Sequence, residues 1–438
     1  MISVEPPTPS ANPREEMSSR QWLAVGVCVL LNIVDGFDIL VMSTAASAVR
    51  QELSLSATSL GLVLGASLAG MMLGALCLAP FADRYGRRRL ILLCLTIGLV
   101  GMIAAGFSSG PAELVACRLA TGLGVGGLMP VLNTIVAEVS TARRRNLAIT
   151  LQAIGYPAGG LAAALVGSTV LKSHGWRLLL QSACLPAIIG LLAVLLFLPE
   201  SVSFLLLRRP ADALTRINAA LRTLGKQPMT VLPPSAQGQP KSSLRALLLG
   251  PYTSALALFA SATFLTQFSF YFFISWLPTI LQPHLAAGSK AGAAMALNFG
   301  GIVGDLIFGA LCLRVRVRPL TLSALAISFL SASLLGQVLE TEMLAMTLVM
   351  VAGAALFAAM AGIYAIAPDV FPTLIRASGT GFTFSLGRLG GALSPLIGAY
   401  VLNALSMQLG LGLISMALPM VAASALLAGL RLQQRRLQ

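Results

Sequence analysis

Residues 58–109 read TSLGLVLGASLAGMMLGALCLAPFADRYGRRRLILLCLTIGLVGMIAAGFSS. Two apolar runs flank the basic segment 83–89, which reads DRYGRRR. A helix needs about 20 apolar residues to cross the hydrocarbon core of a bilayer, and so basic a segment stays outside that core. The stretch therefore predicts two membrane-spanning helices joined by a charged turn.

The same pattern continues along the whole chain. The polar segment 199–250, which contains six prolines, separates two sets of six apolar windows. We therefore predict an all-α membrane protein with 12 transmembrane helices, arranged as bundles 21–198 and 251–432. Residues 1–20 are predicted to be a disordered cytoplasmic tail, and 199–250 a cytoplasmic central loop. The windows are 22–44, 58–80, 89–109, 112–137, 147–171, 177–198, 252–280, 288–311, 318–336, 343–367, 374–402 and 408–431.

Composition and charge exclude several classes of protein. The chain has 438 residues, of which 57% are hydrophobic and 10% charged, whereas a soluble domain carries about 25% charged residues. The net charge of +14 would suggest nucleic acid in a soluble protein, but 23 of the 29 basic residues fall on the side that carries both termini. The positive-inside rule accounts for this distribution and places both termini in the cytoplasm. We expect no nucleic-acid partner.

The two halves of the chain carry related sequence features. At an offset of 231 residues, Arg145 matches Arg376, and the glycine pair 159–160 matches the pair 390–391. Two related six-helix halves predict pseudo-symmetric bundles with a substrate site between them, near the middle of the membrane.

Five charges lie inside the apolar windows, namely Asp35, Asp38, Arg118, Asp305 and Arg388. Each costs about 2.5–3.5 kcal/mol on insertion scales, so each is a functional candidate. Asp35 and Asp38 share a helix face, and two neighbouring carboxylates in a low dielectric do not both ionise readily. We predict that this pair couples transport to protons. The alternative is a structural ion pair with an arginine of the fourth or eleventh helix.

Arginines from opposite halves are candidate contacts for an anionic substrate. The guanidinium fork matches a carboxylate with two parallel hydrogen bonds, so Arg118 and Arg388 suit an organic anion. The alternative for each is one permanent ion pair with Asp35, Asp38 or Asp305.

The seventh predicted helix carries seven aromatic residues within 264–276. Some of these rings are expected to fill the core or face lipid, and others to stack on a planar substrate ring. Gln267 and Asn298 lie at a similar depth and are candidates to hydrogen-bond a ring substituent. The predicted substrate-binding residues, besides the two arginines, are Gln267, Phe268, Tyr271, Phe272 and Asn298.

The basic segment 83–89 is a gate candidate. Asp83 can pair with the arginines in one conformation, or cap the third helix, and release them in the other. Glu138 ends the fourth helix on the same side. The predicted gating and structural charges are Asp83, Arg84, Gly86, Arg87, Arg88, Glu138, Asp305 and Arg376.

Enzyme and metal chemistry find no support in the sequence. The six cysteines lie in apolar runs without metal-ligand spacing, there are only two histidines, and no nucleophile elbow is present. We therefore expect no catalytic residue, no metal and no cofactor, with the proton gradient as the driving force.

The two sets of six helices with segment 83–88 resemble the major facilitator superfamily over residues 20–432. Within that pattern, Asp35-Gly36-Phe37-Asp38, LPES at 198–201 and FPTLIRASG at 371–379 resemble the bacterial aromatic acid:proton symporters. The resemblance implies a multi-pass, monomeric protein of the bacterial cytoplasmic (inner) membrane. It implies import of a benzoate- or hydroxybenzoate-type acid with protons by alternating access, and a need for Asp35 and Asp38.

Rival functions remain open at this point. The segment GYPAGG at 155–160 resembles a signature of proton-coupled drug antiporters, so an exporter of drugs or aromatic compounds is one alternative. A symporter of another organic anion, a sugar transporter and a transporter-like receptor are others. The glycines at 155–160 also have a simpler use in close helix packing.

Overall fold

The computed structural model describes residues 16–141, 144–232, 252–281, 292–312, 314–339, 341–371, 376–404 and 409–437. All regular structure in these ranges is helical. The long helices are numbered in chain order. They are α1 Ser19–Glu52, α2 Ala57–Cys77, α3 Arg87–Ala105, α4 Pro111–Val139, α5 Arg145–Gln181, α6 Cys184–Phe197, α7 Thr253–Leu281, α8 Gly292–Leu311, α9 Val317–Leu335, α10 Glu342–Val370, α11 Arg376–Ala404 and α12 Leu409–Leu437.

Helix lengths agree with the predicted twelve crossings. Ten described stretches are long and apolar enough to span a membrane. One of them, Leu147–Phe197, contains two crossings because the chain reverses within it. α11 has 29 residues and packs between α2 and α7. The predicted all-α membrane fold of two six-helix bundles is confirmed.

The reversal between the fifth and sixth crossings lies where the sequence predicts it. The sequence predicts a break between 171 and 177, and within α5 the backbone leaves helical geometry at Gly175, with φ +78° and ψ −179°. Glycine adopts this conformation without a steric penalty. Gly167 packs on Thr44 before the turn and Gly190 on Leu31 after it, so the chain climbs along α1 and then returns.

Hydrogen bonds fix both ends of α1. At its start, Ser18 caps the helix and Gln21 bonds back to the Ser18 backbone, which forms a capping box. At its end, Glu52 accepts a hydrogen bond from Trp176 Nε1 at 2.7 Å and pairs with Arg177. We call the end of the bundle with Ser18 and segment 83–89 the basic end, and the end with Glu52 the far end.

The packing of the first half repeats in the second. α1 packs on α5 and α2 on α4, and their counterparts α7 and α8 pack on α11 and α10. Glycine permits close approach at equivalent contacts: Gly70 of α2 lies against the carbonyl of Leu119 in α4, and Gly300 of α8 against the carbonyl of Met350 in α10. The repeat seen in the sequence is therefore also a repeat of contacts.

Two helix pairs join the halves. α2 meets α11 where Gly61 faces Pro395, and α5 meets α8 where Gly160 faces Asn298. These pairs exchange places under the pseudo-symmetry of the bundles. α1 and α7 also contact each other across this boundary.

The segment after α6 docks on the first half at the basic end. It contains short helices at Val202–Arg208 and Ala213–Thr223. Ser18 Oγ donates to the carbonyl of Leu224 at 2.7 Å, and Arg20 donates to the carbonyl of Arg222 at 2.7 Å. Residues 199–232 are therefore folded against the first bundle.

Candidate substrate and proton site

Asp38 is one partner of a buried ion pair. Arg118 Nη1 donates to its Oδ1 at 2.7 Å, and Arg118 Nη2 donates to its backbone carbonyl at 2.9 Å. Ser67 Oγ approaches the other carboxylate oxygen at 3.4 Å. The side chains are 1% and 3% exposed, and all three residues belong to the first half. The sequence left two interpretations of Arg118 open, a contact with an anionic substrate or an ion pair with an aspartate. The structure shows the ion pair.

Asp35 lies one turn earlier on α1 and has different surroundings. Both carboxylate oxygens are buried and accept no hydrogen bond from a described residue. No ion pair to Asp35 occurs within the described ranges, although Arg388 of α11 acts on it electrostatically. Nη1 of Arg388 is likewise buried without a hydrogen-bond partner among those residues. Two opposite charges from opposite halves therefore face the same region unpaired.

Four aromatic rings lie beside this pair of charges. Tyr156 of α5 is 6.4 Å from Phe270 of α7 and 6.0 Å from Phe357 of α10, measured between ring centroids. Phe270 makes edge contacts with Phe357 at 5.0 Å and Tyr271 at 5.2 Å. We call these four residues the aromatic cluster. It crosses the boundary between the halves, because Tyr156 comes from the first and the other three from the second.

Two predicted amide side chains border the same region. Asn298 of α8 packs against Gly160, and its Oδ1 is buried without a partner in the described structure. Gln267 of α7 packs against Gly387, the residue before Arg388. The structure places Asp35, Tyr271 and Arg388 within electrostatic range of one another, with Gln267 packed beside the residue before Arg388 and Asn298 one turn from Tyr156; that these residues bind substrate stays a prediction.

Two predicted aromatic contacts lie outside the cluster. Phe268 stacks on Phe264 at 6.4 Å. Phe272 is fully buried against Phe273 and packs on Gly398. Their described ring contacts are packing contacts within the second half, so the prediction that they touch substrate gains no support from the geometry.

Sequence reasoning missed Tyr156, Phe357 and Tyr364 as site residues. Tyr364 of α10 acts electrostatically on Arg388 and Asp35, packs edge-on against Phe384 at 4.8 Å, and is 41% exposed. It lies six residues before the end of α10. Tyr156 could have been found from the sequence, because it is a tyrosine among glycines in an apolar helix. No sequence feature marks Phe357 or Tyr364 as a site residue.

A family comparison agrees with this architecture. The model of the Major Facilitator Superfamily matches residues 28–395. The chain belongs to the Major Facilitator Superfamily. Members of this superfamily are transporters, and in them the boundary between the halves is where a substrate is expected.

Relatives within the superfamily cover almost the whole chain. The chain is 32% identical over 421 residues to the gallate transporter of Pseudomonas putida, covering 94% of this chain and 92% of that protein. It is 30% identical over 397 residues to the 4-hydroxybenzoate transporter PcaK of Pseudomonas aeruginosa, covering 89% and 88%. The inward-open structure of the xylose transporter XylE from E. coli superposes with a TM-score of 0.74 at 17% identity, covering 92% and 95%.

At the basic end of this superfamily member, a polar network joins α3, α4 and α6. Glu200 Oε1 accepts hydrogen bonds from the backbone N–H groups of Arg87 at 2.8 Å and Arg88 at 3.1 Å, and so caps α3. The Arg87 guanidinium pairs with Glu138. Ser201 Oγ donates to Glu138 at 2.6 Å. Every member belongs to the first half, so these contacts hold that bundle together.

Gly86 makes the turn before α3. Its φ of +108° lies in the region that favours glycine, and a Cβ there would collide with the Glu200 carboxylate. Arg84 is engaged nearby, with its guanidinium 5.5 Å from the centre of the Tyr85 ring. The side chains of Asp83 and Arg376, two further predicted gate residues, lie outside the described part of the structure.

Asp305 is separate from that network. It lies on α8 in the second half, is 5% exposed, and has one carboxylate oxygen without a partner among the described residues. Its predicted membership of a gating charge network has no counterpart in the described contacts.

Proposed function

We propose that the chain is a proton-coupled importer of an aromatic carboxylate of the benzoate or hydroxybenzoate type. One observation carries the proposal: an unpaired carboxylate, Asp35, and an unpaired guanidinium, Arg388, approach from opposite halves beside the aromatic cluster. The curated relatives transport gallate and 4-hydroxybenzoate, which supports the substrate class.

The charges suggest how substrate and proton move together. Arg388 attracts the carboxylate of the acid, and the aromatic cluster accommodates its ring. An ionised Asp35 repels the anion, and protonation of Asp35 removes the repulsion. The loaded and protonated site is closer to neutral, so enclosing it between the halves costs less. Loss of the proton on the other side restores the repulsion and expels the acid.

Within the predicted proton-coupling pair, the geometry favours Asp35 as the proton carrier. Its oxygens have no described partner, whereas Asp38 is held by Arg118. The Asp38–Arg118 pair sits directly beside it on α1 and α4. We propose that this pair positions α1, and that Arg118 contacts substrate only if the pair opens during the cycle.

The charge distribution supports a cytoplasmic location for the basic end. Arg84, Arg87, Arg88 and Arg89 lie there with the start of α1. On the positive-inside rule, we propose that both termini lie in the cytoplasm. We propose that the membrane is the inner membrane of a bacterium. We propose that the monomer is the transporting unit.

Proton flux into proteoliposomes tests the proposal. Vesicles with an internal pH dye are exposed to benzoate, hydroxybenzoates, protocatechuate, gentisate, phenylpropionates and a sugar, and the leak of undissociated acid into protein-free vesicles is subtracted. We expect internal acidification with one group of acids. Asp35→Asn should abolish it. The matched control Asp212→Asn should not, because Asp212 is an exposed carboxylate outside the spanning helices.

Export by proton exchange is the competing function. If substrate entry drives protons out of the vesicles, an antiporter replaces the symporter. If no acid moves protons, the substrate class is wrong. The glycine motif behind the export reading has a packing role here, since Gly155 lies against the carbonyl of Val29 and Gly159 against that of Ile33. The motif alone therefore does not favour export.

A further inference from the structure

We propose that the phenol hydroxyl of Tyr156 recognises a hydroxyl group on the substrate ring, and thereby gives the transporter a preference for hydroxylated over unsubstituted aromatic acids. This inference rests on the proposed function, because it assigns one element of specificity within the same site. No role for Tyr156 follows from the charge arguments above.

The backbone of Tyr156 is fixed beside the proton site. The carbonyl of Tyr156 lies against Gly36, the residue that follows Asp35 on α1. A Cβ at Gly36 would collide with this carbonyl. Gly155 and Gly159 bring the rest of this turn of α5 equally close to α1. The position of the tyrosine relative to Asp35 is therefore set by backbone contact.

The side chain of Tyr156 reaches into the second half. Its ring contacts Phe270 of α7 and Phe357 of α10 at centroid distances of 6.4 Å and 6.0 Å. The residue is only 9% exposed, and its hydroxyl has no hydrogen-bond partner among the described residues. Buried hydroxyls in folded proteins are almost always bonded. An unbonded phenol in a ligand site is a group that a ligand can satisfy.

The surrounding groups define that ligand. Tyr156 lies within electrostatic range of Arg388 and Asp35, and its phenol approaches that of Tyr271 without completing a hydrogen bond of normal geometry. With the acid's carboxylate at Arg388 and its ring along the aromatic cluster, a ring substituent comes next to the phenol. A phenol both donates and accepts hydrogen bonds, so it suits another hydroxyl.

Tyr156→Phe tests the assignment, because it removes the hydroxyl and keeps the ring contacts. KM and Vmax are measured in proteoliposomes for benzoate, 3-hydroxybenzoate, 4-hydroxybenzoate and gallate. We expect KM for at least one hydroxylated acid to rise about fivefold to tenfold, as loss of one hydrogen bond predicts. KM for benzoate should stay within about twofold. Tyr400→Phe is the matched control, since Tyr400 of α11 is 73% exposed.

Three results would overturn the inference. An equal rise in KM for all acids would make Tyr156 a packing residue. A fall in Vmax for all acids at unchanged KM would make it part of the proton path. If the wild-type protein transports benzoate but no hydroxylated acid, the Tyr156 hydroxyl does not recognise a hydroxyl group on the substrate ring. If the wild type transports no aromatic acid at all, the proposed function itself has failed, which is a distinct outcome.

A measurement on the wild-type protein covers the case in which Tyr156→Phe does not fold. Competition by 4-fluorobenzoate and 4-methoxybenzoate is compared with that by 4-hydroxybenzoate, and the corresponding 3-substituted acids are compared in the same way. Neither the fluoro nor the methoxy group donates a hydrogen bond. If both analogues compete as well as the hydroxylated acid at both ring positions, no ring hydroxyl is recognised and the inference is wrong.

Discussion

Two aspartates three positions apart on α1 have opposite surroundings. Asp38 is bonded to Arg118 and near Ser67, whereas both oxygens of Asp35 lack a described partner. The contrast arises because Arg118 on α4 reaches one turn of α1 and Arg388 on α11 faces the other. Neutralising Asp35 should therefore affect proton coupling, whereas neutralising Asp38 should affect the stability of the protein.

Asparagine at Asp35 mimics the protonated carboxyl group. We expect Asp35→Asn to lower proton-driven accumulation at least about tenfold while exchange of labelled for unlabelled acid continues, since exchange needs no net proton movement. Uptake under an imposed pH gradient and counterflow in the same vesicles measure the two activities. Full accumulation by this variant would show that Asp35 does not carry the proton.

Neutralising Asp38 leaves a buried arginine without its counter-charge. Breaking one side of a buried ion pair costs about 3–5 kcal/mol, so Asp38→Asn should lower the unfolding temperature markedly. The double variant Asp38→Asn with Arg118→Gln should recover part of that loss. Thermal unfolding in detergent compares the three proteins. Equal stability of Asp38→Asn and wild type would mean that the pair contributes little.

Charged site residues were predictable and their partners were not. Asp35 and Arg388 stand out because a charge in an apolar window is costly whatever surrounds it. The choice for Arg118 between substrate and Asp38 depended on helix packing, which the sequence does not encode locally. Phe357 was invisible because an aromatic residue in an apolar helix carries no sign of the direction in which its ring points.

At the scale of elements, the start of α3 depends on one glycine and one glutamate. Gly86 has φ +108°, and Glu200 caps the helix from the segment after α6. The sequence suggested Asp83 as a possible cap. The observed cap comes from 113 residues further along the chain, a distance at which spacing rules give no guidance.

Alanine at Gly86 should disturb both features. The backbone conformation is unfavourable for a residue with a Cβ by about 1–3 kcal/mol, and the added atom would also displace the Glu200 carboxylate. We expect a lower unfolding temperature for Gly86→Ala. Gly110→Ala is the control, because Gly110 precedes a helix at φ −150° with open space around it. Equal unfolding temperatures for the two variants would contradict this account.

At the scale of the whole molecule, the positions of the apolar segments along the chain were sufficient to predict the architecture. Twelve apolar windows and one polar segment specify the count of helices and the two halves, because the bilayer allows few alternatives to a spanning helix. The break around Gly175 was predicted as well, because Lys172, Ser173 and His174 interrupt the apolar pattern just before it. The contacts between halves, such as Gly61 with Pro395, were hidden.

An atom added at the contact between α2 and α11 should slow transport. A Cβ at Gly61 would lie 2.8 Å from the carbonyl of Pro395 and 3.0 Å from Ala399, so Gly61→Ala should hold the halves apart at this seam. We expect Vmax to fall severalfold with little change in KM, as measured by initial uptake. Gly26→Ala, which adds an atom in open space, should behave as wild type. A changed KM at normal Vmax would refute this reading.

The docking of residues 199–232 on the first bundle has a consequence for how such a chain can be made. Because Leu224 and Arg222 bond back to Ser18 and Arg20, and Glu200 to the start of α3, this segment folds as part of the polypeptide that precedes it. If the chain were produced as two fragments divided after residue 232, these contacts would therefore all remain within the first fragment.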